Sequence, residues 1–439
     1  MTWRAEVIRG PVPWVLTLAL LSSRMDPAAP LSDPVAGAVP ASLHLSTPAL
    51  YLVLAPLFTL WDGISMLSMR RLQGFLLGLL ILYLAWRTLL GTLHRQSWRG
   101  WRPWTREVLV LVVSLGALLG FVALGAVWHR PMLSLAGVPP QDRVADFHTH
   151  TTLSHDVGST WMRGFDREAN RRWHSRAGFD AVFVTDHNVV SGESGVGSRE
   201  SGVGRQSRGA PVLCPGIEVS AWGAHVVLLG DTLPVDRGPY SSSLDGLLEL
   251  LANSESRYGS LTLASLPEYR RNHWTRLDTL IASGLDGFEI VNAAPKANEF
   301  SRSDRDRVIG LARAHNLFVA GVSDSHGWGA TSMVWNLVRV PSGLAASDLC
   351  GAILHQLYRG FPAVRVIERH RLRPDDAWPG WLTPVGVLWE TWRSMGWALT
   401  LAWIGWVWLV WSLRVLLRRK DWRVNIAPST ASDSPPMDR

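Results

Sequence analysis

The stretch Asp146-Phe-His-Thr-His-Thr-Thr-Leu-Ser-His-Asp156 is the most informative in the chain, because it concentrates carboxylates and imidazoles in one short segment. On a β-strand, residues two apart point to the same face, so His148 and His150 can hold one metal ion together. Asp146 would share that face, and Asp156 can return to it after the polar turn. Divalent metals of borderline softness bind imidazole and carboxylate side by side. The segment therefore predicts half of a hydrolytic metal site.

Three later segments repeat this combination of a buried strand and metal-binding side chains. They are Ala-Val-Phe-Val-Thr-Asp-His-Asn (181–188), Cys-Pro-Gly-Ile-Glu-Val-Ser (214–220) and Leu-Phe-Val-Ala-Gly-Val-Ser-Asp-Ser-His (317–326). Their candidate residues are Asp186, His187, Glu218, Asp324 and His326, with His225 before the apolar run 226–229. Polar residues that merely cap strands could explain any one segment. Their recurrence favours one site, since strand ends converge in α/β folds and the loops carry chemistry.

This ordered series resembles the PHP (polymerase and histidinol phosphatase) superfamily. The matching motifs are D-x-H-x-H-T-x-x-S at 146–154, T-D-H at 185–187, G-x-E at 216–218 and S-D-x-H at 323–326. The resemblance covers residues 142–370. It implies an α/β fold, a distorted (β/α)7 barrel with two or three divalent metal ions at the C-terminal ends of its strands.

The resemblance also implies which residues bind the ions, expected to be Zn, Mn or Fe. Those that match one ion are His148, His150, Glu218 and Asp324, and those that match another are Asp156, His187 and His326. Glu218 would bridge two ions. His225 fits the extracytoplasmic, carbaryl-hydrolase-like branch of the superfamily, which has a similar histidine before an apolar strand.

One position departs from the superfamily pattern. Many members carry a His-Pro pair whose histidine is a metal ligand, whereas this chain has Leu-Ala-Ser-Leu-Pro-Glu at 263–268. Leu266 therefore stands where that histidine would be. Either His225 or His273 substitutes for it, or one metal position is weak or empty.

A second family of metal hydrolases, the amidohydrolases, also begins with H-x-H on a barrel strand. Its members commonly bridge their metals with a modified lysine. This chain has only Lys296, in a polar loop, and Lys420, in the basic tail. Because neither lysine ends an expected strand, the PHP interpretation is preferred.

The chemistry expected of such a site is metal-assisted hydrolysis, most readily of a phosphoester, because bound ions activate water and neutralise phosphoryl charge. His155 is the candidate catalytic acid, although an exposed turn residue would give the same pattern. Asp186 is expected to orient a ligand rather than to bind metal.

Two alternatives to this function stay open. The site could hydrolyse other esters, or the domain could be a non-catalytic metal-binding sensor or scaffold, since Leu266 replaces an expected ligand.

Long apolar runs outside the catalytic segment indicate an integral membrane protein. A helix needs about 20 apolar residues to cross a bilayer, and such runs lie at 49–69, 72–93, 107–128 and 396–413. The first run is the weakest because it contains Asp62. The run 12–22 is short, and could be signal-like, interfacial or a tilted span. Helices buried in a soluble domain are disfavoured by the basic flanks and 24 tryptophans.

These runs divide the chain into five expected parts. They are an N-terminal segment with a Pro/Ala-rich linker (1–48), transmembrane helices (49–128), the metallohydrolase domain (142–370), a C-terminal transmembrane region (384–417) and a basic, then disordered tail (418–439). Within the domain, strands alternate with helices expected at 165–177, 277–283, 304–315 and 345–359. The Gly- and Ser-rich segment 191–209 is expected to be a mobile surface loop.

Basic residues predict the orientation in the membrane. The clusters are Arg95, Arg99, Arg102 and Arg106 before the third run, and Arg418, Arg419, Lys420 and Arg423 after the last. By the positive-inside rule both are cytoplasmic, which leaves 129–395 outside, although Arg70 and Arg71 oppose this orientation.

The same clusters account for much of the net charge of +7, so nucleic-acid binding is not expected. The expected partners are a small-molecule phosphoester or ester and the lipid bilayer.

The chain contains two cysteines, Cys214 and Cys350. They lack the close spacing of a metal site and lie far apart in the sequence. Two buried thiols, rather than a disulfide, are therefore expected.

Overall fold

The computed structural model describes residues 10–93, 101–160, 164–189, 209–230 and 234–424. The expected mobile loop at 191–209 lies almost entirely outside the described residues, as do Arg95, Arg99 and the tail beyond residue 424.

The described residues form a mixed α/β protein. Its strands are β1 (Leu31–Ser32), β2 (His44–Ser46), β3 (Ser134–Ala136), β4 (Asp142–Asp146), β5 (Ala181–Val184), β6 (Val212–Ala221), β7 (Ala224–Leu229), β8 (Leu261–Ala264), β9 (Gly287–Asn292), β10 (Phe318–Val322), β11 (Val334–Arg339) and β12 (Val364–Arg369). Its helices are α1 (Pro11–Ser22), α2 (Ala49–Val53), α3 (Ala55–Ser65), α4 (Met69–Leu93), α5 (Trp101–Val127), α6 (His155–Gly158), α7 (Arg167–Ala177), α8 (Gly238–Ser241), α9 (Leu244–Tyr258), α10 (Glu268–Asn272), α11 (Leu277–Ala282), α12 (Arg302–Ala314), α13 (Leu349–Leu357), α14 (Thr383–Ser394) and α15 (Trp397–Val424). Short 3₁₀ turns lie at Ala297–Glu299, Ala346–Asp348 and Gly380–Leu382.

Ten strands form one curled sheet in the order β1-β12-β11-β4-β5-β6-β7-β8-β9-β10. Strands β4, β5 and β6 are parallel, as are β8, β9 and β10. Strand β7 runs antiparallel to both of its neighbours. Because this reversed strand begins where β6 ends, its first residues lie at the same edge of the sheet as the C-terminal ends of the parallel strands.

Strands β4 and β10, at the two ends of the parallel region, lie close together and are linked through β11. The Asn336 amide of β11 donates to Ala145 of β4 at 2.9 Å and accepts from Gly321 of β10 at 2.8 Å. A Cβ atom at Gly321 would lie 2.2 Å from Val334, so only glycine permits this approach. The expected α/β class is confirmed. The closed barrel stays a prediction, because the described hydrogen-bonded sheet ends at β10.

Local sequence explains why these elements form. Every residue of β5, β9 and β10 is buried, as expected for parallel strands covered on both faces. Helix α7 begins at the Asp166 carboxylate, which accepts from the Ala169 amide at 2.8 Å, and it ends at Gly178 with φ +88°.

Three helices are long and apolar enough to cross a membrane: Met69–Leu93, Trp104–Val127 and Trp397–Leu417. The weaker run expected at 49–69 instead folds as α2 and α3, which have 5 and 11 residues and bury Tyr51 and Phe58. Helix α1 has 12 residues, fewer than a span needs. Its Trp14 ring lies 5.0 Å from Trp408 of α15.

A buried carboxylate fixes α3 to the domain that contains the ten-stranded sheet. Asp62 Oδ2 accepts from the Tyr51 hydroxyl at 2.8 Å and from Arg369 at 2.9 Å. Its Oδ1 accepts from the Thr331 hydroxyl at 2.7 Å, and Arg130 lies 3.5 Å away. Helix α3 and the sheet are therefore joined by a polar cluster in which both Asp62 oxygens accept hydrogen bonds.

The two cysteines form a disulfide, so the expectation of two free thiols is wrong. Cys214 of β6 and Cys350 of α13 have Cα atoms 5.6 Å apart, although 136 positions separate them in the sequence. The bond lies where α13 packs beneath the sheet. Sequence separation failed as a guide because the curled sheet brings distant segments together.

Candidate metal centre

The loops that follow β4 and β10 pair with each other and so fix the candidate ligands. The Asp324 amide donates to the His148 carbonyl at 2.9 Å, and the His150 amide donates to the Ser325 carbonyl at 3.1 Å. Asp324 has φ +42°, an uncommon backbone conformation for a residue other than glycine. Such strain persists only where the surroundings impose it, and here it directs a buried carboxylate toward two histidines.

All eight residues predicted to bind metal come together at this edge of the sheet. Three groups of possible ligand atoms are present: His150, Asp156, His187 and His326; His148, His150 and Asp324; and His187, Glu218 and His225. Within each group the atoms lie within 4.8 Å of one another. Because His150 and His187 each belong to two groups, the arrangement is one continuous cluster. The binding of metal by these residues stays a prediction.

The buried oxygens of this cluster test whether it suits a cation. Glu218 Oε2 lies 3.0 Å from His187 Nδ1, and 3.3 and 3.4 Å from Nε2 of His148 and His150. Among the described residues this oxygen makes no hydrogen bond, and neither does Asp324 Oδ1. A buried polar atom without a partner is costly. A divalent ion would satisfy both carboxylates and the imidazoles, so the donor set fits a multinuclear metal centre.

A second carboxylate organises the outer part of the cluster. Asp156 Oδ2 lies 2.8 Å from His326 Nε2 and 3.2 Å from His187 Nε2, and its Oδ1 accepts from the Ser154 hydroxyl. Burial raises the pKa of Asp156, but the hydrogen bonds from His187 and His326 outweigh burial and lower it. Burial lowers the pKa of His326, whereas Asp324 and Asp156 raise it to about 9.

The two histidines of the H-x-H motif have opposite electrostatic environments. Burial lowers the pKa of His148, but Glu218 and Asp324 outweigh it and raise this pKa well above its ordinary value. Burial, together with the nearby His326, lowers the pKa of His150 to about 4. His150 is therefore held neutral near pH 7, which is the form that binds metal.

Sequence reasoning missed Glu289, the residue that orients His148. Its Oε1 lies 2.6 Å from His148 Nδ1, while Oε2 accepts from the Leu266 amide at 2.8 Å and from Asn292 at 2.9 Å. Burial raises its pKa to about 7. A proton on Nδ1, shared with this carboxylate, leaves Nε2 of His148 directed at the cluster. The available signal was a charged residue inside the apolar strand Gly-Phe-Glu-Ile-Val-Asn (287–292).

The structure brings one of the two proposed substitutes for Leu266 into the cluster. His225 Nδ1 lies 3.0 Å from Glu218 Oε1. His273 belongs to none of the three groups among the described residues, and its ring packs 5.4 Å from Trp222. The geometry thus favours His225 over His273 as an additional ligand.

A further carboxylate that the sequence analysis did not single out follows Leu266. Glu268 begins α10, and its Oε2 lies 3.9 Å from His225 Nδ1. Burial raises the pKa of Glu268. No spacing pattern could have found it, because the turn after β8 decides where its side chain lies.

Two acidic residues of the motifs support the loops and do not face the ligand groups. Asp146, expected to share the histidine face, lies 2.8 Å from His174 Nε2 and accepts from the Ser323 amide at 3.1 Å. Asp186 accepts from the amide and hydroxyl of Thr151 at 2.6 and 2.7 Å. Both therefore act on the backbone that positions the histidines.

The candidate catalytic acid lies at the edge of the cluster. His155 begins α6 and is exposed, and its ring lies 5.1 Å from the ring of His187. This position suits a group that meets substrate from solvent, and its catalytic role stays a prediction.

Comparisons with known proteins give only a weak likeness. No model of a known protein family matches the chain, and no curated protein matches it. A proposed metal-dependent phosphoesterase from Bifidobacterium adolescentis shares 18% identity, covering 42% of this chain and 88% of its own, with a TM-score of 0.28. PsfC from Pseudomonas syringae shares 15% identity, covering 57% of this chain and 96% of its own, with a TM-score of 0.32. The indication of a metal hydrolase comes from the clustered His, Asp and Glu groups.

Proposed function

We propose that this protein is a membrane-anchored, metal-dependent phosphoesterase of the PHP type, with a distorted (β/α)7 barrel over residues 142–370. One observation carries the proposal. Glu218 Oε2 and Asp324 Oδ1 are buried among imidazoles of the same cluster and make no hydrogen bond to any described residue. Such a set of donors is suited to two or three divalent ions, as in enzymes that hydrolyse phosphoesters.

The residues present have distinct roles in this proposal. Bound ions would polarise the phosphoryl group and lower the pKa of water. His155 protonates the leaving oxygen from the solvent side of the cluster. Glu289 and Asp186 hold His148 and the Thr151 loop in place through their hydrogen bonds. Lys296 lines the cavity that holds the candidate ligands, where it offers a positive charge to the substrate's phosphate.

We further propose that the catalytic domain lies outside the cytoplasm. The Arg clusters support this orientation through the positive-inside rule. The Cys214–Cys350 disulfide supports it independently, because such bonds persist in oxidising compartments and are rare in the cytosol. A reporter fused after Trp128 should behave as exported, and one fused after Lys420 as cytoplasmic. A cytoplasmic signal at Trp128 would reverse the assignment.

The enzymatic proposal is tested on the full chain purified in detergent. Metal analysis should find at least two divalent ions per chain, and a panel of phosphomonoesters, phosphodiesters and carboxylic esters should show turnover of phosphoesters. Less than one ion in a folded sample would contradict the metal centre. Full metal content without any turnover would instead favour a sensor or scaffold, and turnover of carboxylic esters alone would change the substrate class.

A further inference from the structure

The candidate metal ligands line a cavity of about 660 Å³, and part of the wall of this cavity is apolar. That part, called here the apolar wall, consists of Trp61, Ile64, Leu72, Val122 and Ala126. Trp61 and Ile64 belong to α3, Leu72 to α4, and the last two to α5. A site for a wholly polar, water-soluble substrate has no need of such a wall.

The apolar wall continues into two of the helices that could cross the membrane. Leu72 lies in the first turn of α4, and Val122 and Ala126 lie in the last two turns of α5. Only 11% and 6% of the most apolar windows of these helices are buried inside the protein. Val122 itself is 39% exposed. The cavity therefore connects the metal ligands to helix surfaces suited to contact with lipid, at the level where the helices leave the domain.

The wall is held firmly by contacts at both of its sides. The Met69 amide at the start of α4 donates to the Pro295 carbonyl at 2.9 Å, beside the metal cluster. On α5, Gly125 lies against the Trp61 ring so closely that a Cβ atom would be 2.3 Å away. Because these contacts fix α4 and α5 relative to the sheet, the cavity is part of the fold.

The two helices are joined at the end away from the cavity. Arg87 Nε donates to Glu107 Oε2 at 2.6 Å, and the Tyr83 hydroxyl donates to the Glu107 carbonyl at 3.3 Å. Near the domain, Leu72 and Val122 instead border the same open space. A hydrocarbon chain from the bilayer could enter at this end and replace water at the apolar wall, which is favourable.

We propose that the substrate is an amphiphilic phosphoester of the membrane, whose phosphate reaches the metal ligands while its hydrocarbon chain lies along the apolar wall. This inference rests on the phosphoesterase function proposed above. In the reaction, water adds its oxygen to phosphorus and the P–O bond to the alcohol breaks. The alcohol oxygen takes a proton and stays bonded to the hydrocarbon chain, while the phosphate group leaves on the aqueous side.

A chain-length series on the full, metal-loaded protein tests the proposal. Butyl, hexyl and octyl phosphates, and the corresponding methyl diesters, are compared as monomers below their micelle concentrations. The ratio of kcat/KM for octyl over butyl should be at least about tenfold, since each fully buried CH₂ group contributes up to about fourfold. Equal values across the series would overturn the amphiphile proposal and leave the phosphoesterase intact. No turnover of any member would overturn the phosphoesterase itself, and the amphiphile proposal with it.

A matched pair of variants tests where the hydrocarbon chain of the substrate lies. Val122→Trp fills the apolar wall and should reduce the octyl-to-butyl ratio to near one. Val113→Trp places the same side chain on an exposed part of α5, where Val113 is 61% exposed, and should keep the ratio. Metal content should match the unmodified protein in both. If a Val122→Trp protein of normal metal content kept the full octyl-to-butyl ratio, the hydrocarbon chain of the substrate would not lie along the apolar wall.

Discussion

Two of the buried carboxylate clusters in the described part of the chain differ in whether their oxygens are satisfied. Around Asp62, both carboxylate oxygens accept hydrogen bonds from neighbours such as Tyr51 and Thr331. At the candidate metal centre, Glu218 Oε2 and Asp324 Oδ1 are equally buried but lack hydrogen bonds among the described residues. A satisfied cluster needs nothing more and holds helices in place. An unsatisfied one, surrounded by imidazoles, is arranged for an ion from outside the chain.

Other charged residues in or beside the apolar helices are likewise paired with partners elsewhere in the fold. Asp62 bonds to Arg369 of the sheet, and Glu390 lies 2.6 Å from His370. Arg87 pairs with Glu107 of the next helix. Each of these groups joins elements of the fold, which is consistent with anchoring.

The largest effect is expected at the candidate bridge. Glu218→Gln should abolish hydrolysis and lower metal content, because the neutral amide cannot serve two ions. Asp62→Asn is the matched control, since it neutralises a buried carboxylate outside the metal centre and should leave metal content unchanged. Metal analysis and kcat/KM measure both. Full activity of Glu218→Gln would show that the bridge is assigned to the wrong residue.

The next effect concerns His155, at the solvent edge of the cluster. His155→Ala should lower kcat by about 100-fold, the lower range for a lost general acid, while metal content stays constant. The loss should be smaller for phosphoesters with good leaving groups, which need no proton. If kcat were equally low for all leaving groups, the acid role would be wrong.

Glu289 should have an intermediate effect because it touches a ligand rather than the ion. Glu289→Gln removes the charge that orients His148, and such losses typically weaken metal affinity by about 10- to 100-fold. Metal titration with a competing chelator measures the change, and excess metal should restore turnover. Unchanged affinity would show that His148 is positioned by other contacts.

Removal of the satisfied carboxylate should affect stability and spare the metal centre. Asp62→Asn leaves Arg130 and Arg369 buried without their counter-charge, and breaking a buried pair of this kind costs about 3 kcal/mol. Thermal unfolding in detergent should therefore begin at a lower temperature. A variant as stable as the unmodified protein would show that Tyr51 and Thr331 suffice to hold α3.

The smallest effect is the pH dependence of the metal-free protein. The pKa of His326 is raised to about 9 from an ordinary value of 6.5. Its protonated form therefore stabilises the metal-free fold fully below pH 6.5, and that contribution is lost as the pH rises through 9. Tm of the metal-free protein should fall between pH 7 and 9.5. The Tm of the metal-loaded protein should change less with pH, because its ligands are already deprotonated. If Tm fell equally with pH in both forms, the assignment of this effect to His326 would be wrong.

Much of the candidate site could be predicted from the sequence because its candidate ligands lie at strand ends in short, recognisable motifs. His148 and His150 lie two apart, and Asp324 and His326 likewise follow a buried strand. Glu289 escaped notice because a lone charge inside an apolar strand has no spacing to identify it. The run 49–69, expected as a weaker span, folds as two short helices for a related reason. Hydropathy does not reveal that the Asp62 carboxylate accepts hydrogen bonds from Thr331 and Arg369 of the sheet domain.

The sequence by itself determined the class of fold, the candidate ligands and the helices able to cross a membrane, because these follow from local periodicity and short motifs. Only the tertiary structure decided which carboxylates are satisfied, that Cys214 meets Cys350, and that Val122 borders the same cavity as the metal ligands. These are relations between segments far apart in the chain. The curled sheet and the docked helices create them, and no local pattern encodes such distances.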